Sequence, residues 1–217
     1  MGVITRSSAK RYGMAESEQE IETKFFIQDL ASAITRLQTL GAQKISRRVL
    51  ETNLRFDTPD NAISRARQVL RLRRDASAVL TFKGPNQTTN RVSNRQEIEF
   101  MVSDFETARR FLEALGYQVL VIYEKYRTTY KLDNLMITVD EIPFGNFIEI
   151  EGPDPEDIEN AAKMLKLNWH NRSTASYLAL FYQFRTARGL SARNLTFQEL
   201  AGFTAEPHDI GLSYADR

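Results

Sequence analysis

The chain has 217 residues, 42% of them hydrophobic, with 29 basic and 28 acidic side chains and a formal net charge of +1. That length supports one domain with a sizeable core, and the charge balance argues against a general nucleic-acid or membrane-surface binder, which carries a basic excess. No cysteine is present, which excludes a disulfide framework, a thiolate metal site and a cysteine nucleophile and fits a cytoplasmic protein.

Residues 1–16 hold Arg6, Lys10 and Arg11 without an apolar stretch, so they read as a flexible extension rather than a secretory signal, with Met14 a second candidate start. No apolar run reaches the roughly 18–20 residues of a membrane-spanning helix. The domain is expected over 17–189. A strand over 19–27 leads to a helix over 29–40 that ends at Gly41, then to a strand over 44–57. Strands over 68–74 and 78–83 flank the turn Asp75-Ala76-Ser77, and a strand over 92–102 precedes a helix over 104–115 that ends at Gly116. Strands follow over 118–131, 135–141 and 146–151, the first two joined at Asp133-Asn134. Pro155 after Asp154 opens a helix over 155–166, and a longer helix over 172–188 carries Tyr177, Leu178, Leu180, Phe181 and Phe184. Residues 190–217 read as an appendage in which Leu195, Phe197, Leu200 and Phe203 suit a short amphipathic helix.

Two stretches of this order repeat. Gln19-Glu20-Ile21-Glu22 leads through a helix to Leu40-Gly41 and a long strand, and Gln96-Glu97-Ile98-Glu99 leads through a helix to Leu115-Gly116 and another. Two such β-α-β units predict a pseudo-symmetric α+β fold, an eight-stranded antiparallel sheet closed into a barrel with helices packed outside.

The strands share a charge pattern. Side chains two apart in a strand lie on one face, so Glu20, Glu22 and Lys24 share a face, as do Arg71 with Arg73, Arg95 with Glu97 and Glu99, Lys125 with Arg127, and Glu149 with Glu151. Lys83 and Asp140 complete the set. Antiparallel strands with one wet face also alternate this way, and cross-strand Glu–Arg pairs are common there. The opposite faces, however, carry Ile21, Leu70, Leu72, Ile98, Phe100, Ile148 and Ile150, which need a core of their own. Helices outside the sheet supply it and leave the charged face pointing inward. Carboxylates at this density bind hard cations such as Mg²⁺ or Mn²⁺, and arginine and lysine hold phosphate oxygens. The pattern therefore suits a metal-bound phosphate chain.

The segments Glu20-Ile-Glu-Thr-Lys24, Phe56-Asp-Thr-Pro-Asp60, Leu70-Arg-Leu-Arg73, Leu80-Thr-Phe-Lys-Gly-Pro85, Arg95-Gln-Glu-Ile-Glu99, Glu124-Lys-Tyr-Arg127 and Val139 through Gly152 together resemble the CYTH superfamily, the triphosphate tunnel metalloenzymes. That group includes thiamine triphosphatases, inorganic triphosphatases and class IV adenylyl cyclases. The resemblance runs from about 18 to 182. It implies an eight-stranded triphosphate tunnel, with Glu20, Glu22, Glu99, Asp140, Glu149 and Glu151 as metal ligands, helped by Glu97. It implies Lys24, Arg71, Arg73, Lys83, Lys125 and Arg127 as the phosphate clamp, and Glu20, Glu22 and Lys24 as catalytic candidates. The family often adds a basic residue from a C-terminal helix, for which Arg185 and Arg188 are candidates. Mg²⁺ or Mn²⁺ is the expected cofactor, and tripolyphosphate, thiamine triphosphate or ATP the expected partner, with no nucleic acid or membrane and with a homodimer left open. The expected reaction is hydrolysis at the terminal phosphoryl group, and the alternative is cyclisation of ATP to cyclic AMP and pyrophosphate. His170 and His208, the two histidines, are assigned to packing or solvent contacts.

Overall fold

A computed structural model describes residues 18–85 and 92–217, with side chains from Ile21 onward. The expected extension over 1–16 and the side chain of Glu20 lie outside the described residues. Eight strands run in chain order as β1 (Glu18–Ile27), β2 (Gln43–Asp57), β3 (Val69–Arg74), β4 (Ala78–Lys83), β5 (Ser93–Val102), β6 (Gln118–Leu132), β7 (Leu135–Ile142) and β8 (Gly145–Glu151). They pair antiparallel in the order β5-β4-β3-β2-β6-β7-β8-β1, and β1 pairs back onto β5 to close a ring.

The repeat has a structural counterpart. β1 matches β5 and β2 matches β6; β1 pairs with β5 and β2 with β6. Exchanging the two halves of the chain therefore leaves the ring order unchanged. The connecting helices are α1 (Leu30–Thr39) after β1 and α3 (Phe105–Ala114) after β5. Each begins at an aspartate: Asp29 accepts from the Ser32 amide at 2.9 Å and Asp104 from the Thr107 amide at 2.7 Å. Each is followed by a glycine of positive φ, 77° at Gly41 and 91° at Gly116, where a Cβ would be strained.

A short helix α2 (Ala62–Arg65) escapes the sequence pattern. Asp57 accounts for it: its carboxylate accepts from the amides of Thr58, Ile63 and Ser64 at 2.8–3.0 Å. The Phe56–Asp60 segment is thus spoken for by this turn. α4 (Pro155–Met164) starts as expected, with Asp154 accepting from the Glu156 amide.

The longest predicted helix begins five residues late. Residues Arg172–Ser173 form a ninth strand, β9, and α5 (Tyr177–Ala187) opens at Ser176. The reason is a gap in pairing. β5 accompanies β1 only as far as Glu22, so β9 takes the next edge positions, Lys24 and Phe25. The predicted helix over 195–203 is absent for a similar reason. β7 pairs β6 from Tyr126 onward, which leaves the earlier edge of β6 open. Leu195 bridges Tyr123 there, with Leu195 N donating to Ile122 O at 3.0 Å and Glu124 N to Leu195 O at 2.8 Å.

Alternation partitions the side chains as expected. Outward residues Phe25, Ile27, Ile137, Val139, Ile148 and Ile150 pack with Ala33 and Leu37 of α1 and Ile158, Ala161 and Ala162 of α4. Outward Leu54, Phe56 and Leu72 pack with Phe105 and Leu112 of α3. The helices thus cover most of the apolar face, although Ile98 and Phe100 on β5, expected to be covered, remain exposed, and the charged face lines the interior. At one end, Phe26, Val121, Tyr123 and Phe147 meet Tyr177, Phe181 and Phe184 of α5. Residues 190–217, expected as an appendage, contribute Leu195, Leu200, Ala205 and Ile210 to this plug and Ala215 to the cluster under α1 and α4.

Candidate active site

Burial of so many ions is tolerable only where each is paired, and the pairs fall into linked knots. Asp140, inaccessible on β7, accepts from Lys125 Nζ at 3.0 Å, Arg127 Nε at 2.6 Å and Tyr177 Oη at 2.9 Å. The Lys125 and Arg127 partners follow from their positions two apart on β6, beside β7. Tyr177 comes from the first turn of α5. Burial and the Asp140 and Glu149 charges push its pKa well up, so the phenol stays a donor.

Glu149 on β8 takes Arg127 Nη2, and Lys24 Nζ at 3.6 Å. Lys24 also reaches Glu22 at 3.7 Å, and its ammonium lies 5.6 Å from the centroid of the Tyr177 ring. Burial alone would raise the Glu149 pKa, but Arg127, Lys125 and Lys24 outweigh it and hold the carboxyl far below the usual range. Glu51 of β2 lies 3.6 Å from Lys125 Nζ and 4.0 Å from Arg127 Nε. Burial again opposes ionisation, and Lys125, Arg127, Arg73 and Arg71 win, lowering its pKa to about 2.

The facing wall has its own knot. Lys83 pairs with Glu97 at 3.1 Å, and Arg71 approaches Glu97 at 3.8 Å and Glu99 at 3.6 Å. Arg73 reaches Glu99 at 3.6 Å and Asp75 at 3.7 Å. Thr81 Oγ1 donates to Glu99 at 3.1 Å, and Arg71 donates to Thr81 at 3.2 Å and to the Tyr123 hydroxyl at 3.4 Å.

The structure therefore brings Lys24, Arg71, Arg73, Lys83, Lys125 and Arg127 into one lumen, on two walls of the ring. The acids are distributed differently from the expected ligand set. Asp140 is consumed by three donors, and Glu99 lies on β5, separated from β8 and Glu149 by β1, and is bound to Arg71, Arg73 and Thr81. Glu22 stands opposite Glu151 across β1 and β8, next to the Lys24–Glu149 pair; Glu151 is exposed. Glu20 precedes them on β1, its backbone opposite Arg95. Among the described residues no three His, Asp or Glu side chains converge closely enough to hold an ion. Arg185 and Arg188 turn away from the lumen. Arg185 donates to Ala192 O at 3.2 Å, and Arg188 pairs with Asp209 at 2.7 Å; α5 supplies Tyr177 to the lumen instead.

Lumen residues besides Tyr177 that the sequence does not single out include Glu51, Asn53, Arg55, Tyr123 and Thr81. The signal for the first three was present, since Glu51-Thr-Asn53-Leu-Arg55 alternates like the other strands and lies in a predicted one. Nothing local marks Tyr177, a residue in an aromatic helix that reads as core.

A family model described as the CYTH domain matches residues 18–182. A Methanocaldococcus jannaschii protein that bears the name "Putative adenylate cyclase" is 29% identical over 150 residues, which is 68% of this chain and 83% of that protein. A Vibrio parahaemolyticus structure of the same name superposes with a TM-score of 0.70 at 19% identity, covering 77% of this chain and 99% of that one. A Hippeastrum protein, described as a "putative adenylyl cyclase" that reveals a dominant triphosphatase activity, superposes with a TM-score of 0.58 at 22% identity, covering 75% of this chain and 95% of that one. Among the described residues no helix is long and apolar enough to cross a membrane.

Proposed function

The chain belongs to the CYTH domain family, and from that premise we propose that it is a divalent-metal-dependent hydrolase that threads a triphosphate through the ring and cleaves the terminal phosphoryl group. One observation carries this reading: six basic side chains on two walls of one closed sheet face the same lumen, each already oriented by a carboxylate. Donors fixed before the substrate arrives cost no reorganisation as charge develops on the transferring phosphoryl group, and losing one costs roughly 10²–10³ in turnover. Asp140 and Glu51 hold Lys125 and Arg127, and Glu97 and Glu99 hold Lys83, Arg71 and Arg73. The bases are exchanged onto phosphate oxygens as the chain enters. α5 and its Tyr177 close one end and exclude water from it.

The donor chemistry fits a hard cation. Glu22, Glu149 and Glu151 offer carboxylate oxygens on adjoining strands, and with Glu20 they are the residues that would hold Mg²⁺ or Mn²⁺. Asp140 and Glu99 are assigned to positioning the bases. A bound divalent ion supplies charge neutralisation on the phosphates and a more acidic water.

Cyclisation of ATP is the second reading, favoured by the names of the two adenylate-cyclase relatives. Hydrolysis is preferred because the aromatic end of the lumen, where a nucleobase would stack, is filled by the protein's own Phe26, Phe147, Tyr177 and Phe181. Incubation with tripolyphosphate, thiamine triphosphate or ATP, each with Mg²⁺ or Mn²⁺, followed by phosphorus NMR, separates the readings. Orthophosphate release supports hydrolysis, and cyclic AMP with pyrophosphate replaces it with cyclisation. Glu22→Gln should abolish turnover with the fold intact; wild-type activity in that variant removes Glu22 from the metal set.

A further inference from the structure

The inward face of β2 carries two side chains that the six-base clamp does not use. Asn53 is wholly buried, and neither its amide nitrogen nor its oxygen has a hydrogen-bond partner among the described residues. An unmet buried polar group costs about 1–3 kcal/mol, so an amide held in the lumen with both ends open points to a ligand. It faces Arg73 on β3 and Tyr123 on β6. Two positions on, Arg55 faces Arg71 and Val121. Its Nε also has no hydrogen-bond partner among the described residues. Its charged neighbours are Arg71 and Arg95; burial first, and then their repulsion, depress its pKa against the pull of Tyr123. Each of the six clamp bases leans on a carboxylate, whereas among the described residues the charged groups beside Arg55 are cations.

β2 lies between β3 and β6 in the ring, so these two residues join the Arg71–Arg73 wall to the Lys125–Arg127 wall. A partly buried guanidinium among like charges, its Nε shielded from solvent, is satisfied by an anion. A nucleoside at this end would set a neutral sugar and base against Arg55, while the neighbouring aromatic surface is already covered by α5.

We propose that Asn53 and Arg55 form an anion subsite that selects a free phosphate at the β2–β3 end of the lumen, so that the substrate is a linear inorganic polyphosphate rather than a nucleoside triphosphate. This rests on the triphosphate reading of the lumen. Asn53 Nδ2 donates to a phosphoryl oxygen level with Arg73, and Arg55 and Arg71 share the next one.

Calorimetric titration of the full chain with tripolyphosphate and with ATP, in the presence of a chelator, reads binding apart from turnover. Wild-type protein should bind tripolyphosphate at least about tenfold more tightly than ATP. Arg55→Gln should lose about tenfold toward tripolyphosphate and less than roughly twofold toward ATP, and Arg55→Lys should restore part of the loss. Asn53→Ala should weaken tripolyphosphate in the same direction. Equal losses for both ligands, or unchanged tripolyphosphate affinity, overturn the subsite. Should the variants fail to fold, the wild-type protein decides, since equal affinities for the two ligands also overturn it. Orthophosphate release together with Arg55-independent binding refutes the subsite and spares the hydrolase. Arg55-dependent binding with no release from any triphosphate does the reverse.

Discussion

Asp140 is the shared buried acceptor of two cations and a phenol. Removing one partner of a buried ion pair strands the others, at a cost of about 3–5 kcal/mol. Asp140→Ala should therefore destabilise the protein by about that much in urea unfolding, because Lys125 and Arg127 lose their shared acceptor. A loss under about 1 kcal/mol would mean that the pairs are screened by solvent. Glu51 makes a prediction about acid. Its folded pKa of about 2 lies below the ordinary 4.5, so its contribution is complete above about pH 4.5 and is lost as pH falls towards 2. The difference amounts to on the order of 3 kcal/mol. Glu51→Gln should flatten the stability-versus-pH curve across that window, and an unchanged slope would show that Glu51 is not the group being titrated. At this scale the shared inward face of the bases was legible, because Arg71, Arg73, Lys125 and Arg127 advertise themselves by alternation. Asn53 was harder to read, since an amide in a strand carries no charge to flag it. Its importance comes from being buried beside Arg73.

The elements divide between those whose reasons are local and those whose reasons are distant. α1, α3 and α4 begin at an aspartate whose carboxylate accepts a nearby amide, so their starts could be read from the chain. β9 exists because β1 has an unpaired edge, and the Leu195 bridge because β6 has one. Neither vacancy has a sequence signature nearby. Leu195 is fully buried, so Leu195→Ala should cost about 2–5 kcal/mol. A change within about 0.5 kcal/mol would place the C-terminal segment outside the folded unit. Tyr177→Phe keeps the ring under Lys24 and Lys125 but removes the hydrogen bond to Asp140. It should cost about 1–2 kcal/mol in urea unfolding, and an effect near zero would mean that Lys125 and Arg127 satisfy Asp140 unaided.

For the whole molecule, a lumen of mutually paired ions predicts strong linkage between ligand and stability. Tripolyphosphate at about 100 times its dissociation constant should stabilise the protein by about 2.7 kcal/mol, seen as a rise in thermal midpoint. Adding the Arg55→Gln change should shrink the rise at the same ligand concentration, whereas an equal rise in both proteins would detach Arg55 from the ligand. By itself the sequence determined which residues share a face, where the strands and most helices lie, and that two halves repeat, because backbone alternation and capping act over a few residues. Tertiary structure alone decided which acid holds which base, that Asp140 is spent on Lys125, Arg127 and Tyr177, and that α5 with residues 190–217 closes one end. Those outcomes depend on strand register around a closed ring, where partners far apart in the chain meet, and no short stretch of residues encodes that register.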